Sequence, residues 1–141
     1  MNHIASTLSG LLLISAPTAA PQDFVGTYRG SALSGGRDSP TTTKLKINDN
    51  LTLSGEYSFE EEDGQVETGS LDMCRIDARV VTCRWQDSYG SGPVQMEFDS
   101  SFCAFRGRWA TTIVSKAWFY WNGSKGCTPE AKADLVQKQR S

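Results

Sequence analysis

A five-residue pattern, apolar-x-Gly-x-aromatic, recurs along the chain and constrains its fold more than any other feature. It reads Phe24-Val-Gly26-Thr-Tyr28, Leu53-Ser-Gly55-Glu-Tyr57 and Phe105-Arg-Gly107-Arg-Trp109; a fourth copy, Val81-Thr-Cys83-Arg-Trp85, has cysteine for glycine. The centres fall at 26, 55, 83 and 107, so successive copies stand 29, 28 and 24 residues apart, the length of two strands and their turns. The repeating unit is therefore a β-hairpin. Between the copies the apolar residues alternate with polar ones. Leu51, Leu53, Gly55, Tyr57 and Phe59 share one face, and Thr52, Ser54, Glu56, Ser58 and Glu60 share the other, as a half-buried strand requires.

Turn chemistry divides these runs at Gly35-Gly36, Asn48-Asp49-Asn50, Asp63-Gly64 and Tyr89-Gly90-Ser91-Gly92-Pro93. Strands are predicted near 24–30, 41–48, 51–60, 66–76, 79–87, 93–99, 103–113 and 116–122. Eight sequential antiparallel strands bury one face each by closing into an up-and-down barrel or by folding into a sandwich, and the regular repeat favours the barrel. The fold class is all-β. The motif-bearing strands run in one direction, which predicts a tier of Tyr28, Tyr57, Trp85 and Trp109 near one end, with Gly26, Gly55 and Gly107 inward below it.

At 141 residues the chain has room for one core. Residues 1–20 lack Asp, Glu, Lys and Arg, carry Leu11-Leu12-Leu13-Ile14 and end in small residues, which reads as a secretory signal peptide. The expected organisation is a leader over 1–20, a barrel over 21–127 and a polar C-terminal helix or tail over 128–141, where Thr128-Pro129 is a helix start and Leu135 and Val136 are the main apolar residues. Export to an extracellular or periplasmic space follows. The 14 basic and 16 acidic residues form no cationic stripe, which argues against nucleic acid, and no run after the leader approaches the ~20 apolar residues of a membrane helix.

Cys74, Cys83, Cys103 and Cys127 make an even set behind a leader, and so two disulfides are expected. A turn at Val114-Ser115-Lys116 faces Trp109 with Trp121 and Cys103 with Cys127; a turn at Ala78-Arg79 faces Cys74 with Cys83. A one-residue slip in the fourth strand instead turns Leu71 and Met73 inward with Trp85, and spacing leaves both registers open. His3, the one histidine, lies in the leader, so the mature chain has no imidazole for catalysis or metal binding. No metal site and no cofactor are expected. Oxidised cysteines offer no thiolate, which leaves carboxylates such as Asp72 and Asp87 for a glycosidase-like chemistry, and an enzyme is the less favoured reading.

The aromatic residues are the better functional lead. In Trp118-Phe119-Tyr120-Trp121 alternation sends Phe119 and Trp121 inward with Trp109 and turns Trp118 and Tyr120 outward, beside Arg106 and Arg108. An eight-stranded barrel is either filled by side chains or hollow enough for one small ligand. The first expectation is an apolar or aromatic small molecule held in the interior by Tyr28, Tyr57, Trp85, Trp109 and Trp121. The second is a protein target bound through Trp118, Tyr120, Arg106 and Arg108, a hairpin loop or the tail. Asn50-Leu-Thr52 and Asn122-Gly-Ser124 are glycosylation sequons, for use in a eukaryotic host.

On these residues the layout resembles the avidin and lipocalin group of small β-barrels. Gly26-Thr27-Tyr28 is similar to the Gly-Thr-Trp that opens the first avidin strand, and Leu53-Ser54-Gly55-Glu56-Tyr57-Ser58 to the third strand, whose Tyr and nearby Ser contact biotin. Trp85, Trp109 and Trp121 stand where that family places pocket tryptophans. The resemblance implies a barrel with a ligand cavity. Departures in the first strand, at Arg29-Gly30-Ser31, and in the spacing of Tyr57 and Ser58 argue against biotin itself. Proteinase inhibitors, which act through loops or tails, also share such a plan.

Overall fold

Eight antiparallel strands pair in sequence order and close into a barrel through the contact of first with last. They are β1 (Gly26–Ser34), β2 (Arg37–Ile47), β3 (Leu53–Glu60), β4 (Val66–Asp77), β5 (Val80–Asp87), β6 (Gly90–Phe98), β7 (Ala104–Trp109) and β8 (Phe119–Ser124). The computed structural model describes residues 19–112 and 117–127. The expected leader, apart from Ala19 and Ala20, lies outside the described residues, as do the expected tail and the Val114-Ser115-Lys116 turn. Among the described residues no helix is long and apolar enough to cross a membrane.

The period-2 pattern becomes the two faces of the wall. Thr43, Leu45, Leu53, Tyr57, Val81, Trp85, Val94, Met96 and Phe98 are buried, while Lys44, Lys46, Glu56, Arg84 and Glu97 between them are exposed. Gly35 and Gly36 both take positive φ, 58° and 78°, and join β1 to β2 as a two-residue hairpin, a backbone that other residues reach only with strain.

One end of the barrel is closed. Pro21–Phe24 form a single 3-10 turn capped by Ala20, whose N–H donates to Asp23 Oδ2 at 2.8 Å. Phe24, expected in the first strand, instead drops beneath the barrel with no exposed surface, edge-on to Phe98 at 4.9 Å and Phe102 at 5.2 Å. The Tyr28 hydroxyl donates to Phe24 O at 2.8 Å and ties the plug to β1. Burial, with Asp99 nearby, pushes the Tyr28 phenol well above its ordinary range.

The strand ladders resolve one register that the sequence leaves open and correct two expectations. β4 uses both of the registers left open: Ile76 and Asp77 pair with Val81 and Val80, then a bulge intervenes, and Leu71 pairs with Trp85. Met73 absorbs the extra residue at φ 52° and points to solvent, 73% exposed, while Leu71 is inward. Cys74 at the bulge reaches Cys83. In the β7–β8 hairpin Trp109 faces Phe119 and Gly107 faces Trp121, two residues from the expected pairing; a shift of two keeps every side chain on its face. Cys103 therefore faces Lys125, whose N–H donates to Cys103 O at 2.7 Å, and Cys127 joins it after Gly126 turns the chain at φ 82°. Finally, the glycines of 90–93 lie within β6 and the turn is Ser88-Tyr89. A Cβ on Gly92 would stand 2.0 Å from Ala110 O, so this glycine lets the end of β7 approach.

Candidate functional site

The end opposite Phe24 is open. Tyr57 and Phe59 from β3, Trp85 and Asp87 from β5, Trp109 from β7 and Trp121 from β8 line a cavity of about 80 Å3 there. Tyr89, in the β5–β6 turn, and Ser34, at the end of β1, form its lip. Across Ser34, Phe59, Tyr89 and Trp109 the cavity widens into a shallow basin of about 540 Å3, bounded by Arg37, Glu61, Glu62 and Asp63.

The rings fall into two contacting groups, Tyr57 with Phe59, Tyr89 and Trp121, and Trp85 with Trp109 and Phe119. Tyr57 meets Trp121 edge-on at 4.7 Å, Trp85 meets Trp109 at 5.4 Å, and Trp109 meets Phe119 at 4.9 Å. Each indole N–H is taken up by the barrel. Trp85 Nε1 donates to Ala110 O at 2.8 Å, Trp121 Nε1 to Thr43 Oγ1 at 2.9 Å and Trp109 Nε1 to Leu33 O at 3.1 Å. Among the described residues every buried side-chain nitrogen and oxygen has a partner. The cavity therefore offers ring faces and edges to a guest, and its main polar group is one carboxylate. Asp87 Oδ2 accepts from the Tyr57 hydroxyl at 2.6 Å and Oδ1 from the Tyr89 N–H at 2.8 Å. Burial, then the Asp87 hydrogen bond, pushes the Tyr57 phenol far up, so it stays a donor to Asp87. At the lip the Tyr89 hydroxyl donates to Glu61, which raises its pKa to about 12.

Four of the five expected ligand residues, Tyr57, Trp85, Trp109 and Trp121, meet here; Tyr28 does not. It sits at the closed end, edge-on to Phe98 and Phe105, each at 5.4 Å. The predicted tier fails because the strands are staggered. Following the ladder from Tyr28 leads through Thr43 to Tyr57 and Gly69, and this path climbs toward the open end as it passes around the wall. The sequence offers Asp87 as a candidate carboxylate and Phe59 as an inward ring, but Tyr89 only as part of a turn. A tip residue has no alternation to reveal its direction.

Asp72 is not a companion to Asp87. It lies on the outer surface, where Arg84 Nε and Nη2 each donate to it at 2.8 Å and hold its carboxyl below the usual range. Ser58 falls on the face of β3 opposite Tyr57, out of the cavity. On the outside, Trp118 and Tyr120 are 44% and 37% exposed; the Arg108 guanidinium lies 4.7 Å from the Trp118 ring centre, and the Tyr120 hydroxyl donates to Asp38. Arg106 is exposed opposite Asn122. Asn50 is exposed in the β2–β3 turn and accepts from Thr52, whereas Asn122 Oδ1 accepts from the Gly107 N–H.

The closed eight-stranded antiparallel barrel is consistent with an avidin- or lipocalin-like architecture. Compared with family models and with curated proteins, the chain finds no match.

Proposed function

We propose that this chain is a secreted binding protein whose open barrel end takes a small apolar or aromatic ligand. The observation that carries this reading is the cavity walled by Tyr57, Phe59, Trp85, Trp109 and Trp121. Its volume, about 80 Å3, is well below the ~300 Å3 at which drug-sized pockets begin. The guest is therefore small, or it leaves part of itself in the basin above. Leucine, methionine and phenylalanine side chains fill the lower barrel, so the ligand sits at the mouth instead of deep in the interior. Two disulfides and the apolar leader support an oxidising compartment.

The test is a titration of the folded chain with small aromatic compounds, followed by tryptophan fluorescence and thermal stability. A ligand at 100 times its Kd should add ~2.7 kcal/mol to the stability. Trp109→Ala should abolish the response, because Trp109 borders both the cavity and the basin. A ligand response unchanged by this substitution would move the site elsewhere.

A second reading is a protein partner at the outer face, supported by exposed Trp118 stacked with Arg108 next to Tyr120. Trp118→Ala together with Tyr120→Ala would remove such binding and leave the small-molecule response intact.

A further inference from the structure

From the charge and chemistry of the open end we infer that its ligand is a small organic ammonium ion, a statement that rests on the binding role proposed above. Two independent features converge there. The first is the ring set: Trp85, Trp109, Trp121 and Tyr57 line one small cavity, the three indole N–H groups are already engaged with the barrel, and the Tyr57 hydroxyl with Asp87. A desolvated cation gains from several ring faces at once, whereas an anion is repelled by them. The second is charge. Asp87 lies in the cavity wall, and Glu61, Glu62 and Asp63 bound the basin, against Arg37 as the cation lining either space among the described residues. Arg37 is turned toward the backbone, with Nη1 donating to Glu60 O at 3.3 Å.

Asp87 has no cationic partner among the described residues, where the Asp72–Arg84 pair is the ion pair formed. Its two oxygens accept one hydrogen bond each, from Tyr57 and Tyr89, which uses about two of the four acceptor positions of a carboxylate. A primary ammonium group placed among the rings completes that set and neutralises the charge. The size of the cavity suits such a head with a short apolar body, and the acidic basin draws cations toward it.

Three probes of nearly the same shape separate this proposal from the broader reading: benzylammonium, benzyl alcohol and benzoate. Each is titrated into the full disulfide-bonded protein at low ionic strength and pH 7, with calorimetry and tryptophan fluorescence as readouts. Benzylammonium is expected to bind at least about tenfold more tightly than benzyl alcohol, with benzoate weakest. Asp87→Asn, which keeps an acceptor for Tyr57, should erase the preference for the cation over the alcohol. Glu61→Gln, at the exposed rim, should reduce it in part. Equal binding of alcohol and cation, or a cation preference that survives both substitutions, would overturn the ammonium assignment while the binding role stands. Failure of all three probes to bind would overturn both.

Discussion

Replacing Phe24 with alanine tests whether the 3-10 turn is a structural plug. The ring has no exposed surface and touches Phe98 and Phe102 edge-on at 4.9 and 5.2 Å. Truncating a buried Phe to Ala costs ~3–5 kcal/mol, depending on how far the site collapses. Pro21–Phe24 is a four-residue element at the N-terminal edge, free to settle inward, so the low end, ~3 kcal/mol, applies while the turn stays docked. If it lets go, the buried Tyr28 hydroxyl also loses Phe24 O, which adds ~1–3 kcal/mol. Against the ~5–15 kcal/mol that holds a domain of this size together, either loss is large. Urea unfolding with the disulfides intact should show it as a lower midpoint, and heating as a Tm reduced by ~10–20 °C. The exposed neighbour gives the control: Val25→Ala should stay within ~0.5 kcal/mol. Ligand affinity at the open end should not change. A loss below ~1 kcal/mol for Phe24→Ala, equal to that of Val25→Ala, would refute the assignment of Phe24 to the core.

Alkali should unfold the barrel. Tyr28 and Tyr57 have phenols raised by burial, so above pH ~10 the unfolded chain sheds protons that the native state retains. Stability is thus fully present below pH ~10 and falls as pH rises beyond it, which urea midpoints between pH 8 and 11 would record; a flat profile for the wild-type chain, or a Tyr57→Phe profile equally steep, would contradict this. Gly69→Ala would place a Cβ 2.2 Å from the Tyr57 ring and 2.7 Å from Gln86 O, so the variant should bind ligand at least about tenfold more weakly and lose ~1–3 kcal/mol, read by calorimetry and urea unfolding. Removing the Cys103–Cys127 bridge, which spans 24 residues, should cost ~3.5 kcal/mol, against ~2.7 for Cys74–Cys83, which spans 9; paired Cys→Ser variants compared by denaturation would show the order.

Alternation and turn chemistry act over a few residues, and what depends on them was legible in the sequence. The eight strands, the inward set of Leu45, Tyr57, Trp85 and Phe98, the outward turn of Trp118 and Tyr120, and the Gly35-Gly36 hairpin follow from side-chain period and backbone freedom alone. The disulfide partners were also legible, though through a β7–β8 register two residues away from the one adopted. What only the tertiary structure decided is height along the barrel axis. Tyr28 and Tyr57 hold equivalent places in their motif copies, yet closure of β1 onto β8 staggers the strands and puts one at the plugged end and the other at the mouth. The bulge at Met73 is of the same kind: a locally costly positive φ lets Cys74 reach Cys83 while Leu71 faces the core beside Trp85. Tyr57, Asp87 and Tyr89 come together through the same closure, because the position of each along the axis depends on how many residues every earlier ladder has advanced.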